Sequence, residues 1–125
     1  MSMALILVID DSIELRRAVR RILLSAGHDV LEAENGNIGL ALVNEHEPAL
    51  VITDLIMPDK EGIETILDIR RRGKPTPILA ISGSDPAPAS IYLGAASKLG
   101  ADHVMRKPFR AAELLAAVER LLAPT

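Results

Sequence analysis

Residues Met3–Gly27 read MALILVIDDSIELRRAVRRILLSAG, and a change of period inside this stretch decides the fold class. Leu5–Ile9 is an unbroken aliphatic run, the pattern of a parallel strand buried on both faces. Two aspartates end it. From Ile13 the spacing becomes helical, with Leu15, Ala18, Val19, Ile22 and Ala26 on one face, Ser12 placed to cap the start and Gly27 to end the helix. Arg16, Arg17, Arg20 and Arg21 crowd the other face and read as a solvated surface. This is one βα unit.

The rest of the chain alternates in the same way. Strands are expected at Asp29–Ala33, Leu50–Thr53, Ile78–Ser82 and His103–Arg106. A short helix at Ile38–Glu45 is weakened by Gly39, and a third helix uses Ile63, Ile66 and Leu67 and stops at Gly73, with Arg70 to Arg72 where the helix dipole favours cations. A fourth helix lies within Ser90–Leu99, and a fifth uses Leu114, Leu115, Val118, Leu121 and Leu122. The expected class is α/β, with right-handed crossovers that place helices on both faces of a parallel sheet. Such sheets bind ligands beyond the carboxyl ends of their strands.

At 125 residues, one domain spanning 1–125 is the expectation. A composition of 49% hydrophobic and 25% charged residues suits a folded core, and one Tyr, one Phe and no Trp make that core aliphatic. The net charge of −3, with no basic stripe interleaved with aromatics, argues against direct nucleic-acid binding. The absence of Cys rules out a disulfide framework and thiolate chemistry and fits a cytoplasmic protein. The apolar run Met3–Ile9 is too short for a membrane span and lacks a basic start, so neither anchor nor signal peptide is read.

The chemistry sits where strands end. Asp10 and Asp11 follow the first strand, Asp54 the third, Ser82 closes the fourth and Lys107 follows the fifth. Each alone has a plain structural reading: the acid pair as caps and dipole partners, Asp54 as a turn residue, Ser82 as a cap, Lys107 as a solvated lysine. Their joint placement at one edge of the sheet needs another cause. Clustered carboxylates raise one another's pKa unless a cation neutralises them. Hard oxygens with room for water and a phosphate suit Mg²⁺, or Mn²⁺ in its place, and point to metal-assisted phosphoryl transfer.

Four ordered motifs carry a family resemblance: Val8-Ile9-Asp10-Asp11-Ser12; Asp54-Leu55-Ile56-Met57-Pro58 with Gly62; Ala80-Ile81-Ser82-Gly83; and Gly100-Ala101-Asp102 leading to Lys107-Pro108-Phe109. From end to end the chain resembles a response-regulator receiver domain. The resemblance implies a flavodoxin-like, doubly wound five-stranded parallel sheet of order 2-1-3-4-5, which brings the first and third strand ends to one crevice. It makes Asp54 the phosphoacceptor, with Asp10, Asp11, the Asp54 carboxylate and the Ile56 backbone carbonyl holding the metal. Ser82 would bond one phosphoryl oxygen and Lys107 pair with another, and the Lys107-Pro108 peptide would be cis. The donor would be a phosphohistidine on a histidine kinase or histidine phosphotransfer protein, and the output would pass to an unknown downstream protein target through the surface near strand 4, helix 4, strand 5 and helix 5. The arginine face of the first helix would then have a second reading, as a dock for an acidic partner helix.

Switching a two-state domain from 1:99 to 99:1 takes about 5.5 kcal/mol, and one charge-assisted hydrogen bond contributes only about 1.5 to 3 kcal/mol. Ser82, Lys107 and the metal must therefore act together. Receivers couple the inward movement of the Ser/Thr to an aromatic three residues before the Lys, and here that position is Val104. A weaker or differently built coupling is expected. The segment Gly83–Ser90 carries Pro86 and Pro88 and is longer than the family's usual, either as an ordinary surface insertion or as an altered output face. Aliphatic Ile56 offers an attacking water no hydrogen bond, so self-dephosphorylation is expected to be slow. Two other classes compete: a receiver-fold interaction module regulated without phosphorylation, and an aspartate-nucleophile phosphatase. The second needs an Asp two residues after a first-strand nucleophile, whereas Asp10 and Asp11 are adjacent.

Overall fold

The structure, a computed structural model, describes residues 3–55, 62–82 and 100–123. Five strands, β1 (Leu5–Ile9), β2 (Asp29–Ala33), β3 (Leu50–Asp54), β4 (Ile78–Ser82) and β5 (His103–Arg106), form one parallel sheet in the order β2-β1-β3-β4-β5. The described helices are α1 (Ile13–Ser25), α2 (Gly36–His46), α3 (Gly62–Arg71) and α4 (Ala111–Leu122), the last being the segment expected as the fifth helix. The fourth expected helix and the Gly83–Ser90 segment lie outside the described residues.

Alternation along the strands builds two cores. Ile6, Val8, Leu50, Ile52, Leu79 and Ile81 face α1 and α4, where they meet Val19, Leu23, Leu114 and Val118. Leu7, Ile9, Val51, Ile78 and Ala80 face α2 and α3, against Leu40, Val43, Ile66 and Ile69. The sheet is thus covered on both sides, and its central strands are aliphatic up to their carboxyl ends because neither face meets water.

The caps fall as the sequence indicates in α1, where Ser12 accepts from the Leu15 N–H at 3.3 Å and Gly27 follows with a φ of 91°. Two details differ from expectation. Ala18 is exposed, and the buried ridge of α1 runs through Val19 and Leu23 instead. Gly39 does more than weaken α2: a Cβ there would collide with the Ile9 side chain, so its bare backbone is what lets α2 lie close on β1.

Candidate functional site

The carboxyl ends of β1, β3, β4 and β5 bring the expected residues together. The Asp10 N–H extends the ladder to the Ala33 carbonyl at 3.0 Å, the Leu55 N–H reaches the Ile81 carbonyl at 2.9 Å, and the Lys107 N–H reaches the Ser82 carbonyl at 2.8 Å. With β1 registered beside β3 (Ile9 opposite Thr53), they set Asp10, Asp54, Ser82 and Lys107 at neighbouring strand ends. Oxygens of Asp10, Asp11 and Asp54 lie within 4.8 Å of one another. Asp10 and Asp54 are buried and Asp11 is exposed.

One cation serves two of these acids. Lys107 Nζ stands 3.5 Å from Asp10 Oδ2 and 3.6 Å from Asp54 Oδ1. Backbone donors add support, with the Ser12 N–H on Asp10 Oδ1 at 2.8 Å and the Leu55 N–H on Asp54 Oδ1 at 3.0 Å. Burial nevertheless dominates: it pushes the Asp54 carboxyl up to about 6, the Asp10 charge adds to the rise, and Lys107 and the Leu55 N–H offset only part of it. Asp10 is raised as well, again chiefly by burial, against the Ser12 N–H and Lys107. Among the described residues, the buried Asp10 and Asp54 share one ammonium and exposed Asp11 adds a further carboxylate, so this described part of the cluster is short of positive charge.

Ser82 Oγ is buried with no hydrogen-bond partner among the described residues. Buried hydroxyls are normally paired, so this one marks a place for a polar ligand beside Asp54. The three-carboxylate donor set is all hard oxygen and fits a small divalent cation such as Mg²⁺ or Mn²⁺. The fourth expected metal donor, the Ile56 carbonyl, lies outside the described residues. The Lys107-Pro108 peptide is cis. Val104 is half-buried against the α2/α3 core, paired beside Ala80 on β4.

Two contributions go beyond the sequence reading, which named Gly62 only as part of the Asp54 motif and Arg16 only as one of the arginine face. Gly62, the first residue of α3, donates its N–H to the Leu55 carbonyl at 2.9 Å, and a Cβ there would strike the Asp54 carbonyl oxygen. Only glycine lets α3 begin against the backbone at the end of β3. Arg16 does not belong to the solvated arginine face: its side chain is 13% exposed, against 50% for Arg20, and it turns inward onto the Asp10 carbonyl and Glu32. The sequence signal was its position one turn beyond the acid pair.

With this geometry in view, the likenesses to known proteins are specific. The family model of the response regulator receiver domain matches residues 6–119. Response regulator MprA of Mycolicibacterium vanbaalenii is 35% identical over 120 residues, which cover 96% of this chain and 51% of that protein. The chain therefore spans about half the length of the curated relatives it matches. Among solved structures, chemotaxis protein CheY4 of Vibrio cholerae has a TM-score of 0.86 at 32% identity, covering 97% of this chain and 100% of that one. NtrX of Brucella abortus has a TM-score of 0.90 at 30% identity, covering 97% of this chain and 27% of the other.

Proposed function

The chain belongs to the response-regulator receiver domains, and we propose that it is a single phosphoacceptor domain of a cytoplasmic two-component phosphorelay, with Asp54 taking a phosphoryl group from the phosphohistidine of a histidine kinase or histidine phosphotransfer protein. The observation that carries this reading is the pairing of an acid cluster with a buried hydroxyl, Ser82 Oγ, on the neighbouring strand end, where the described residues supply one shared ammonium to the acids and no hydrogen-bond partner to the hydroxyl.

The chemistry assigned to each residue follows from its surroundings. A carboxylate whose pKa is about 6 remains largely ionised at neutral pH, so an Asp54 oxygen can attack phosphorus. The P–O bond forms in line as the P–N bond to the partner imidazole breaks, and the departing nitrogen takes up a proton. Lys107, already near Asp54, pairs with a phosphoryl oxygen, and the Ser82 hydroxyl donates to another. Asp10, Asp11, Asp54 and the Ile56 carbonyl would hold Mg²⁺, or Mn²⁺ in its place, which when bound supplies charge neutralisation for the acids and the transferring group. Hydrolysis of the acyl phosphate resets Asp54, so the domain is a switch that accepts one group rather than a turnover enzyme. Output is assigned to the β4, β5 and α4 side of the molecule, toward a downstream protein target. With Val104 in place of an aromatic, that output rests on Ser82, Lys107 and the cation.

Incubation with acetyl phosphate and Mg²⁺, followed by intact mass, tests the proposal. One phosphoryl adduct is expected on the wild type and none on Asp54→Ala. Consumption of the donor without an adduct would indicate a phosphatase, and no reaction at all would favour an interaction module regulated without phosphorylation.

A further inference from the structure

Adjacent residues on an extended strand point to opposite faces of the sheet, yet Asp10 and Asp11 present oxygens to one cluster with Asp54. The chain leaves the strand conformation here: β1 ends at Ile9, and a bend follows on Asp11, the second residue past it. Asp10 shows the cost of that departure. Its N–H is still in the ladder, bonded to the Ala33 carbonyl, but its carbonyl is free of the ladder and needs a donor from elsewhere.

The donor is Arg16 Nη1, at 2.7 Å. The same guanidinium is held from its other side by Glu32 on β2, with Nε 3.2 Å from Glu32 Oε1. Glu32 is itself fixed in register beside Val8, two residues before Asp10. Arg20 approaches the same carboxylate only at 3.7 Å and from a more exposed position. The planar fork of Arg16 thus ties α1, β2 and the Asp10–Asp11 peptide into one rigid unit, a task that needs two donors at a set angle.

We infer that Arg16, anchored by Glu32, is a positioning residue for the cation site: by holding the Asp10 carbonyl it sets the peptide plane from which both carboxylates of the pair project. The inference rests on the metal reading above but adds residues outside the acid cluster. It also runs against simple electrostatics, because a guanidinium near a cation site repels the ion, and loss of its charge alone would tighten binding.

The test is a set of Mg²⁺ titrations followed by backbone amide NMR shifts on the full chain, with thermal unfolding of each protein in EDTA. Arg16→Ala is expected to weaken Mg²⁺ binding by roughly 10-fold or more, the range found when groups orienting metal ligands are removed. Arg16→Lys is expected to restore part of the affinity, since an ammonium can reach the carbonyl or Glu32 but does not reproduce the fork. Glu32→Gln, which keeps the shape and loosens the anchor, is expected to weaken binding less than Arg16→Ala, and it provides the test should Arg16→Ala fail to fold. Mg²⁺ affinity unchanged or tighter in the folded variants, even with lower thermal stability, overturns the positioning role alone. A wild type that binds no Mg²⁺ overturns the metal reading and this inference with it.

Discussion

At the amino ends of β4 and β5, the Arg70 guanidinium gives all its donors away: Nε and Nη2 to the Gly100 carbonyl, Nη1 to the carbonyls of Lys74 and Thr76, and Nη2 also to Asp102 Oδ2 at 2.9 Å. That carboxylate oxygen in turn accepts the Ile78 N–H at 2.8 Å. At the carboxyl ends of the same sheet, two buried acids share one ammonium, both acids are raised by burial, and a serine hydroxyl has no partner among the described residues. The saturated end can only hold the fold together. The unsaturated end, as far as the described residues go, costs stability by itself, and under the proposed function a ligand would relieve it, which is the physical condition for a switch.

The largest expected effect is at the saturated end. Arg70→Ala removes the guanidinium donor from three backbone carbonyls and leaves Asp102, among the described residues, only the Ile78 N–H, and should lower unfolding free energy by about 3 kcal/mol in denaturant titrations. Arg70→Lys should recover only a fraction, because an ammonium does not reproduce the five-donor fork. A loss no larger than that of an exposed surface pair would mean that the two ends do not differ as described.

Smaller, and opposite in sign, is the effect at Ser82. Replacing a buried hydroxyl that lacks a partner removes a desolvation penalty, so Ser82→Ala should leave the free protein more stable by about 1 kcal/mol. The same change should slow formation of the Asp54 adduct in the intact-mass assay. A Ser82→Ala protein that is both less stable and phosphorylated at the wild-type rate would place the hydroxyl in the structural frame instead of the ligand site.

The contrast also explains what could be read from the chain in advance. Leu5–Ile9, Leu50–Thr53 and Ile78–Ser82 were legible because burial on two faces demands near-continuous aliphatic runs, a local property of the sequence; the structure extends the second strand to Asp54. The order β2-β1-β3-β4-β5 was not local; it came from a family likeness, as did the roles of Asp54, Ser82 and Lys107. The Arg70 hub was visible only as a cation at a helix end, since its acceptors arrive from Gly100 and Asp102, some 30 residues away. Arg16 stood apart from Arg17, Arg20 and Arg21 only by its place after the acid pair, a signal too weak to read until β2 delivered Glu32 beside it. Buried His28, whose Nδ1 accepts the Ala4 N–H at 3.2 Å, gave no sign at all, because nothing in a lone histidine specifies its burial.

Asp54 offers the most direct trial of the claim that the carboxyl end is short of positive charge. Its folded value of about 6 lies above the 3.8 of an unperturbed carboxyl, so the folded state holds the extra proton between those pH values. Stability contributed at this position is therefore present at low pH and is lost as pH rises through that window, by about 3 kcal/mol once Asp54 is ionised. Asp54→Asn should remove this slope and be the more stable protein at pH 7.5. Carboxyl ¹³C NMR titration of Asp54 in EDTA and in saturating Mg²⁺ reads the cause itself: the account predicts a midpoint near 6 without the ion and a clear fall with it. An ordinary midpoint in EDTA, or one that Mg²⁺ does not move, would contradict it.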